Sequence, residues 1–399
     1  MADRTGISRG GEKIINLGSG GPYRTHRKTV RYDHYDYNLM AAVILLTCLG
    51  LVMLCSIGTY STGNLWSFFK QAVIAAGSFV LLLFVSRIDY HSYIRLSGWL
   101  YVGSCVLLIV TRFVGRTANG ATRWLTLGPI SIQPAEIAKL AVILFLPYVI
   151  TSMSPEKLSD WKAVALILSF GALTFVLTYY FTDNLSTAII IFAIAIVLTF
   201  IVHPKTRPFL IAAAILAVIV AIVVFGILPG ILSNADNVGS FRIRRILVWL
   251  DPEAYSDEGG YQVLQGLYAI GSGGLLGKGL GNGIQKLGKV PEAENDMIFS
   301  IICEELGIFG AVLTIGLFVF LLYRLFYIAM RAPDLLGSLI ACGIFVHIAL
   351  QVVLNIAVVI NLIPTTGITL PFISAGGTSV LFLMMEIAVA LNISSQIED

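Results

Sequence analysis

The chain has 399 residues, of which 57% are hydrophobic and only 12% charged, and its formal net charge is +3. Soluble domains carry about 25% charged residues, so a chain this apolar reads as an integral membrane protein and not as a soluble enzyme. The small net charge gives no basis for nucleic-acid binding.

Residues 1–35 form a polar N-terminal tail with Arg24, His26, Arg27, Lys28 and Arg31 near its end. No short apolar core with a small-residue cleavage site follows, so the tail reads as cytoplasmic and not as a cleaved signal. Residues 36–399 read as one transmembrane domain. A membrane helix needs about 20 mostly apolar residues, and about ten runs qualify: 36–57, 66–86, 93–113, 132–152, 162–181, 185–202, 207–228, 297–323, 335–360 and 373–393. These runs are continuous and not alternating, which predicts helices and makes strands unexpected. The predicted fold is an all-α polytopic membrane protein. A large extracytoplasmic loop, about 229–296, separates the seventh and eighth helices.

Lys and Arg in short loops set orientation. With the N-terminus inside, the inner loops hold Arg87 and Arg95, Lys157 and Lys162, Lys205 and Arg207, and Arg324 and Arg331. Both termini are then cytoplasmic. Two outer loops run against the rule: one carries Arg112, Arg116 and Arg123, the other Arg242, Arg244, Arg245, Lys278, Lys286 and Lys289. Cations gathered there suit an anionic ligand, and phosphate is the natural one. For the Arg242–Arg245 group the alternative is pairing with Asp251, Glu253, Asp257 and Glu258. The cysteines Cys48, Cys55, Cys105, Cys303 and Cys342 are odd in number, lie in apolar surroundings and show no CxxC spacing. They read as small buried hydrophobes, with no disulfide framework and no zinc site.

Four segments hold polar groups beside apolar helices. In NGATRWLTLGPISIQPAEIAK, residues 119–139, a Gly- and Pro-rich loop opens a helix near Pro134. Glu136 and Lys139, spaced i, i+3, share a helix face and can pair. That pair is either a structural lock or a cavity-facing lysine that binds an anion. In TDNLSTA, residues 182–188, Asp183 or Asn184 can cap the following helix. The Gly-rich run 271–283 contains Gly277–Lys278. A phosphate-binding loop needs GxxxxGK followed by Ser or Thr; Ser272 and Gly279 break that pattern, so no nucleotide is expected. In NIAVVINLIPTTGITLPFISAGGTS, residues 355–379, Pro and Gly interrupt apolar sequence. Broken helix at membrane depth is tolerated only when buried in protein or lining a cavity.

The most informative stretch is 261–307. It carries Lys278, Lys286, Lys289, Glu292, Glu294, Asp296, Glu304 and Glu305 between two membrane runs. Ionisable groups at such a boundary point to function. Asp296 lies where a polar loop turns into a membrane helix. A divalent cation, Mg or Mn, can bridge such a carboxylate and a phosphate. The histidines His34, His91, His203 and His347 show no metal-ligand spacing.

The stretches GATRWLTLGPISIQPAEIAK, GYQVLQGLYAIGSGGLLGKGLG, QKLGKVPEAENDMIFSIICEELG and LIPTTGITLPFISAGGTS, in this order, resemble the SEDS (shape, elongation, division and sporulation) family of peptidoglycan glycosyltransferases. The QK before the PEA block is closer to the FtsW/SpoVE branch than to RodA. The resemblance implies about ten helices and polymerisation of lipid II at the outer face of the bacterial cytoplasmic membrane. It places the essential acid on Asp296, with Glu292 beside it in the PEA block. It places the paired Glu and Lys on Glu136 and Lys139, and the loop arginine on Arg123. Relatives often have PEAHTDFIF where this chain has PEAENDMIF, PDLGTA where it has DNLSTA, and an aromatic at Ala375. Asn184 thus stands at a position that is acidic in relatives.

In such an enzyme a glycan hydroxyl attacks the anomeric carbon of a lipid-linked sugar and the lipid pyrophosphate leaves. Asp296 is the candidate base or metal ligand. Arg123, Glu136, Lys139, Arg242, Arg244, Arg245, Lys278 and Glu292 are the candidate substrate-binding residues, the cations among them meeting developing phosphate charge. No ATP is needed, because the donor is already activated. The implied partners are lipid II, the nascent glycan strand and a single-span class B penicillin-binding transpeptidase. The alternative is a transporter that flips the lipid-linked precursor.

Overall fold

The protein is represented by a computed structural model that describes residues 35–59, 66–118, 121–127, 130–227, 241–287 and 290–397. The tail expected at residues 1–35 lies outside the described residues except for Tyr35, as do Lys289 and the side chain of Arg242. Among the described residues nine helices are long and apolar enough to cross a membrane: α1 (Tyr37–Ile57), α2 (Trp66–Val85), α4 (Ser97–Val114), α5 (Pro134–Thr151), α7 (Trp161–Thr182), α8 (Leu185–Val202), α12 (Ile298–Arg331), α13 (Leu335–Val359) and α14 (Gly377–Ser394). Between them lie the shorter α3 (Tyr90–Ile94), α6 (Pro155–Leu158), α9 (Arg207–Ala221), α10 (Phe241–Leu250) and α11 (Gly260–Gly273). The run expected over 207–228 is thus a 15-residue α-helix continued by a π-helical stretch, Ile222–Ile227. The β-branched Ile222 and Val223, with Gly226, are poor helix formers.

Strands were not expected, yet residues 116–132 form a three-stranded antiparallel sheet in the order β1 (Arg116–Ala118), β2 (Ala121–Leu127), β3 (Ile130–Ile132). The strands are too short to leave a strong period-2 signal. They also lie between α4 and α5, outside the apolar spans, where the rule that only helices or closed barrels survive in lipid does not apply. The loop expected over 229–296 likewise contains α10 and α11.

Burial divides the bundle into inner and outer helices. The central stretches of α5 and α14 are 78% buried and that of α13 is 61%, against 22% for α2 and 28% for α4, α7 and α12. Charged side chains within membrane helices belong where protein surrounds them. Glu136 and Lys139 on α5, His347 on α13 and Glu386 on α14 all sit on these inner helices, and all are buried.

Helix α12 is kinked at Gly307, whose φ of 64° and ψ of −158° are not helical. The Gly-rich run packs into that break. The Gly277 N–H stays with Gly273 O, while the Lys278 and Gly279 N–H groups donate to the carbonyls of Glu304 and Glu305 at 3.0 and 2.9 Å. Ile308 N–H donates to Gly274 O at 3.0 Å. A Cβ on Gly277, itself at φ 75°, would collide with the Glu305 carbonyl. Only glycine lets the two backbones approach this closely. Two carboxylates at the kink hold the run. Glu304 pairs with Lys278 at 2.7 Å and accepts from the N–H groups of Ile284 and Gln285. Glu305 pairs with Lys286 and accepts from Ser56 Oγ of α1 and Gly281 N–H.

At the opposite end of the bundle His91 bridges two acids, Asp89 at 2.9 Å and Asp334 at 2.8 Å, and the Tyr90 hydroxyl donates to Asp334 at 2.8 Å. Hydrogen bonding to Asp334 raises the His91 pKa above 6.5, with burial opposing. A raised histidine contributes stability that is complete below its unfolded pKa and disappears as pH rises through the folded one. The detergent-solubilised protein should therefore lose thermal stability as pH climbs from about 6.5 into the mildly alkaline range. His91→Gln should flatten that slope; an unchanged slope would remove the clamp from the account.

Candidate active site

Asp296 immediately precedes Met297, the N-cap of α12. The main chain of residues 294–296 is fixed from two sides, by Asn355 of α13 and by the broken segment 360–376. Asn355, in the last turns of α13, donates its Nδ2 to Asp296 O at 2.8 Å and to Ile368 O at 2.7 Å. Ser374 Oγ donates to Asn295 O at 2.6 Å, and Ala375 N–H donates to Glu294 O at 2.8 Å. The interrupted helix thus becomes a cradle, buried at 368 and 370–374 and open at Gly367.

Asp296 is 9% exposed, and its carboxyl accepts from Gln262 Nε2 of α11 at 3.3 Å. Burial, reinforced by the negative Glu292, pushes its pKa up to about 7; a backbone hydrogen bond and Arg245 pull the other way. A carboxyl tuned near neutrality can take up a proton and release it again. Glu292 itself is at φ 55° and accepts from Asn295 Nδ2.

Two guanidinium groups converge on the same place. Arg123, on β2, donates Nη2 to Asp183 O at 3.0 Å. Arg245, on α10, donates Nη1 to Thr365 O at 3.2 Å. Burial lowers the pKa of both, and for Arg123 the like charge of Arg245 lowers it further. Two like charges held close together in a half-buried setting are a ready receptor for an anion. Gly367, at φ 71°, lies between Arg123 and the acid. A methyl on it would sit 3.8 Å from Arg123 Nη1 and 3.9 Å from Asp296 Oδ2. Around this gap Arg123 Nε, Asn355 Oδ1 and Thr366 Oγ1 are buried and, among the described residues, lack a hydrogen-bond partner. Such atoms call for a water or a ligand.

The remaining sequence-predicted residues fall elsewhere. Glu136 and Lys139 do pair, at 2.9 Å, but Lys139 is buried beneath the site and also donates to Gln351. Lys278 is held by Glu304 at the α12 kink, so it is not brought to Asp296. Arg244 neighbours Arg245 on α10 but is exposed. Arg242 lies on the same helix. Asn184 caps α8, accepting from Thr187 N–H at 3.2 Å, which is the capping account of that hairpin. Asp183, left-handed at the end of α7, receives Arg112 at 3.6 Å. Gln262, Asn355 and Gly367 were missed as site residues. The polar Asn355 at the start of an interrupted apolar segment was the one signal that pointed to it.

Fold and site together define a polytopic membrane protein with one buried, near-neutral acid facing two arginines at one end of a helical bundle. Residues 36–399 match the model of the FtsW/RodA/SpoVE family of cell cycle proteins, and the chain belongs to that family. It is 35% identical over 380 residues to stage V sporulation protein E of Bacillus subtilis, covering 92% of this chain and 98% of that one. It is 36% identical over 385 residues to the probable peptidoglycan glycosyltransferase FtsW of Bacillus subtilis, covering 90% of each. Among solved structures, a chain of a peptidoglycan synthase complex superimposes with a TM-score of 0.74 at 28% identity, covering 90% of this chain and 97% of that one. Thermus thermophilus RodA shares the fold, with a TM-score of 0.64 at 24% identity over 92% of this chain and 98% of its own.

Proposed function

We propose that this chain is a peptidoglycan glycosyltransferase that polymerises lipid II, its undecaprenyl-pyrophosphate-linked disaccharide-peptide substrate, into glycan strands. The carrying observation is the shared gap over Gly367, with a carboxyl tuned to about 7 on one side and Arg123 on the other. Family membership supplies the reaction class.

The acceptor hydroxyl attacks the anomeric carbon of the donor sugar. Its proton passes to the ionised Asp296, the C–O bond to the carrier breaks, and the electron pair leaves on the pyrophosphate. Arg123 and Arg245 meet the charge that develops there, in a setting where fixed donors are worth more than water. Among the described residues no group of three or more His, Cys, Asp or Glu side chains is placed to hold a metal by itself. Mg or Mn needs only one or two carboxylates beside phosphate oxygens, and Asp296 with Glu292 would supply them. Such an ion would screen pyrophosphate charge.

In this reading the Asp296 end faces the outside of the bacterial cytoplasmic membrane and both termini are cytoplasmic. The partners are the nascent strand and a single-span class B penicillin-binding transpeptidase. Support comes from the Lys and Arg of the short loops at the opposite end and from the similarity to a synthase-complex chain. The test is glycan formation from purified lipid-linked disaccharide. Polymer should appear, and at a rate several-fold higher with the transpeptidase present than without it. Equal rates would remove the partner from the proposal. Lipid translocation without polymer would replace the polymerase by a transporter.

A further inference from the structure

A chain of buried polar groups leads away from the candidate active site into the bundle, and the reaction above uses none of its deeper members. Lys139 Nζ reaches Glu136 Oε1 at 2.9 Å and donates to Gln351 Oε1 at 3.1 Å. His347 Nε2 lies 2.9 Å from the same Oε1, and His347 Nδ1 lies 2.8 Å from Glu386 Oε2. Gln351 Nε2 donates to Thr369 O at 3.1 Å. None of these five side chains belongs to a residue more than 5% exposed.

The proton positions follow from the partners. Reversing the Gln351 amide would set its NH2 against the Lys139 ammonium and its oxygen against Thr369 O, so the neighbours fix its orientation. Gln351 Oε1 only accepts, so His347 Nε2 carries a proton. One further proton is shared between His347 Nδ1 and Glu386. Whether that proton sits on Nδ1 or on the carboxyl, Glu386 engages Nδ1 and leaves Nε2–H to lock Gln351.

The chain also has a direction. His347, Gln351 and Asn355 recur at i, i+4 and i+8, so they form a stripe on one face of α13. Gln351 holds Thr369 O, and Asn355 holds Ile368 O together with Asp296 O. These two carbonyls follow Gly367 directly, and Gly367 is the floor of the gap between Asp296 and Arg123.

We propose that His347 and Glu386 are positioning residues for glycan polymerisation: through Gln351 they hold Lys139 and the segment 365–370, and with it the gap over Gly367, in register with Asp296. Neither touches substrate. The proposal rests on the polymerase reading for its kinetic consequence, but its structural content stands apart from that reading.

Three variants separate positioning from packing. Gln351→Glu keeps an acceptor for Lys139 and His347 but removes the N–H given to Thr369 O and sets an oxygen against it. Glu386→Gln can still donate an amide N–H to His347 Nδ1 and preserve the tautomer, whereas Glu386→Leu cannot. Polymerisation by the full chain with its transpeptidase partner, at varied lipid II, would be measured beside amide hydrogen exchange in segment 364–370. Each variant's thermal unfolding would confirm folding. Gln351→Glu and Glu386→Leu should lower kcat about tenfold or more with little change in KM, because misplacing reacting groups costs rate and not substrate affinity. Both should speed exchange in 364–370, and Glu386→Gln should stay near wild type in both readouts. Wild-type rate and exchange in Gln351→Glu would overturn the proposal. So would equal behaviour of Glu386→Leu and Glu386→Gln, the mark of a side chain that only fills space. If Glu386→Leu does not fold, Gln351→Glu decides alone. If the wild-type protein makes no polymer, the polymerase reading fails, and exchange at 364–370 still decides the positioning.

Discussion

Asp296→Asn should abolish glycan polymer formation while leaving a folded protein. The side chain keeps its size and can still meet Gln262 Nε2 through the amide oxygen, but it can no longer accept the proton of the attacking hydroxyl. Loss of a positioned base costs roughly 10²–10⁴ in rate, which in a gel assay reads as absence of product. The pH dependence carries the same signature. Asp296 must be ionised to act, and burial holds its pKa at about 7. The wild-type rate should therefore fall about tenfold per pH unit below that value and level off above it. Residual turnover in Asp296→Asn should lack this limb. An asparagine variant that polymerises at the normal rate would dispose of the mechanism, and a limb centred near 4 would show that the carboxyl is not tuned.

Lys286→Met should be among the most destabilising single changes in the chain. The amine is fully buried against Glu305 and also donates to Ser56 Oγ at 2.8 Å, while Ser56 donates on to Glu305. Among the described residues, removing the cation leaves a buried carboxylate with a hydroxyl and the Gly281 N–H. Breaking such a pair from one side costs about 3–5 kcal/mol, because the remaining charge is stranded away from water. The double variant Lys286→Met with Glu305→Leu should recover much of that loss, since removing both charges removes the desolvation cost as well. Thermal unfolding of the detergent-solubilised proteins measures both. A single variant as stable as wild type would mean that solvent reaches Glu305.

The fate of the lysines shows where reading the chain residue by residue stops. Lys278 and Lys286 read as part of an anion-binding group, because they fall with other Arg and Lys residues in an outer loop. Glu304 and Glu305 claim them from 26 and 19 residues away, across the Gly277–Gly307 contact. Conversely, Arg123 and Arg245 sit on a strand and a short helix 122 residues apart, as 245 − 123 gives. Only folding brings both to Asp296.

What the sequence determined by itself is what local physics controls. Bilayer thickness sets the length of an apolar run, so the nine long helices among the described residues were legible, while the run over 207–228 was not told apart from them. Helix geometry sets i, i+3 neighbours, so the Glu136–Lys139 pair was legible, as was a cap from Asp183 or Asn184, of which the fold uses Asn184. The short strands of 116–132, the ion pairs at the α12 kink, the ladder from Glu386 to Thr369 and the raised pKa of Asp296 came only with the tertiary structure. Each depends on which distant group displaces water from a buried charge or amide. That choice belongs to packing, because desolvation acts on whatever lies nearby in space, whatever its distance along the chain.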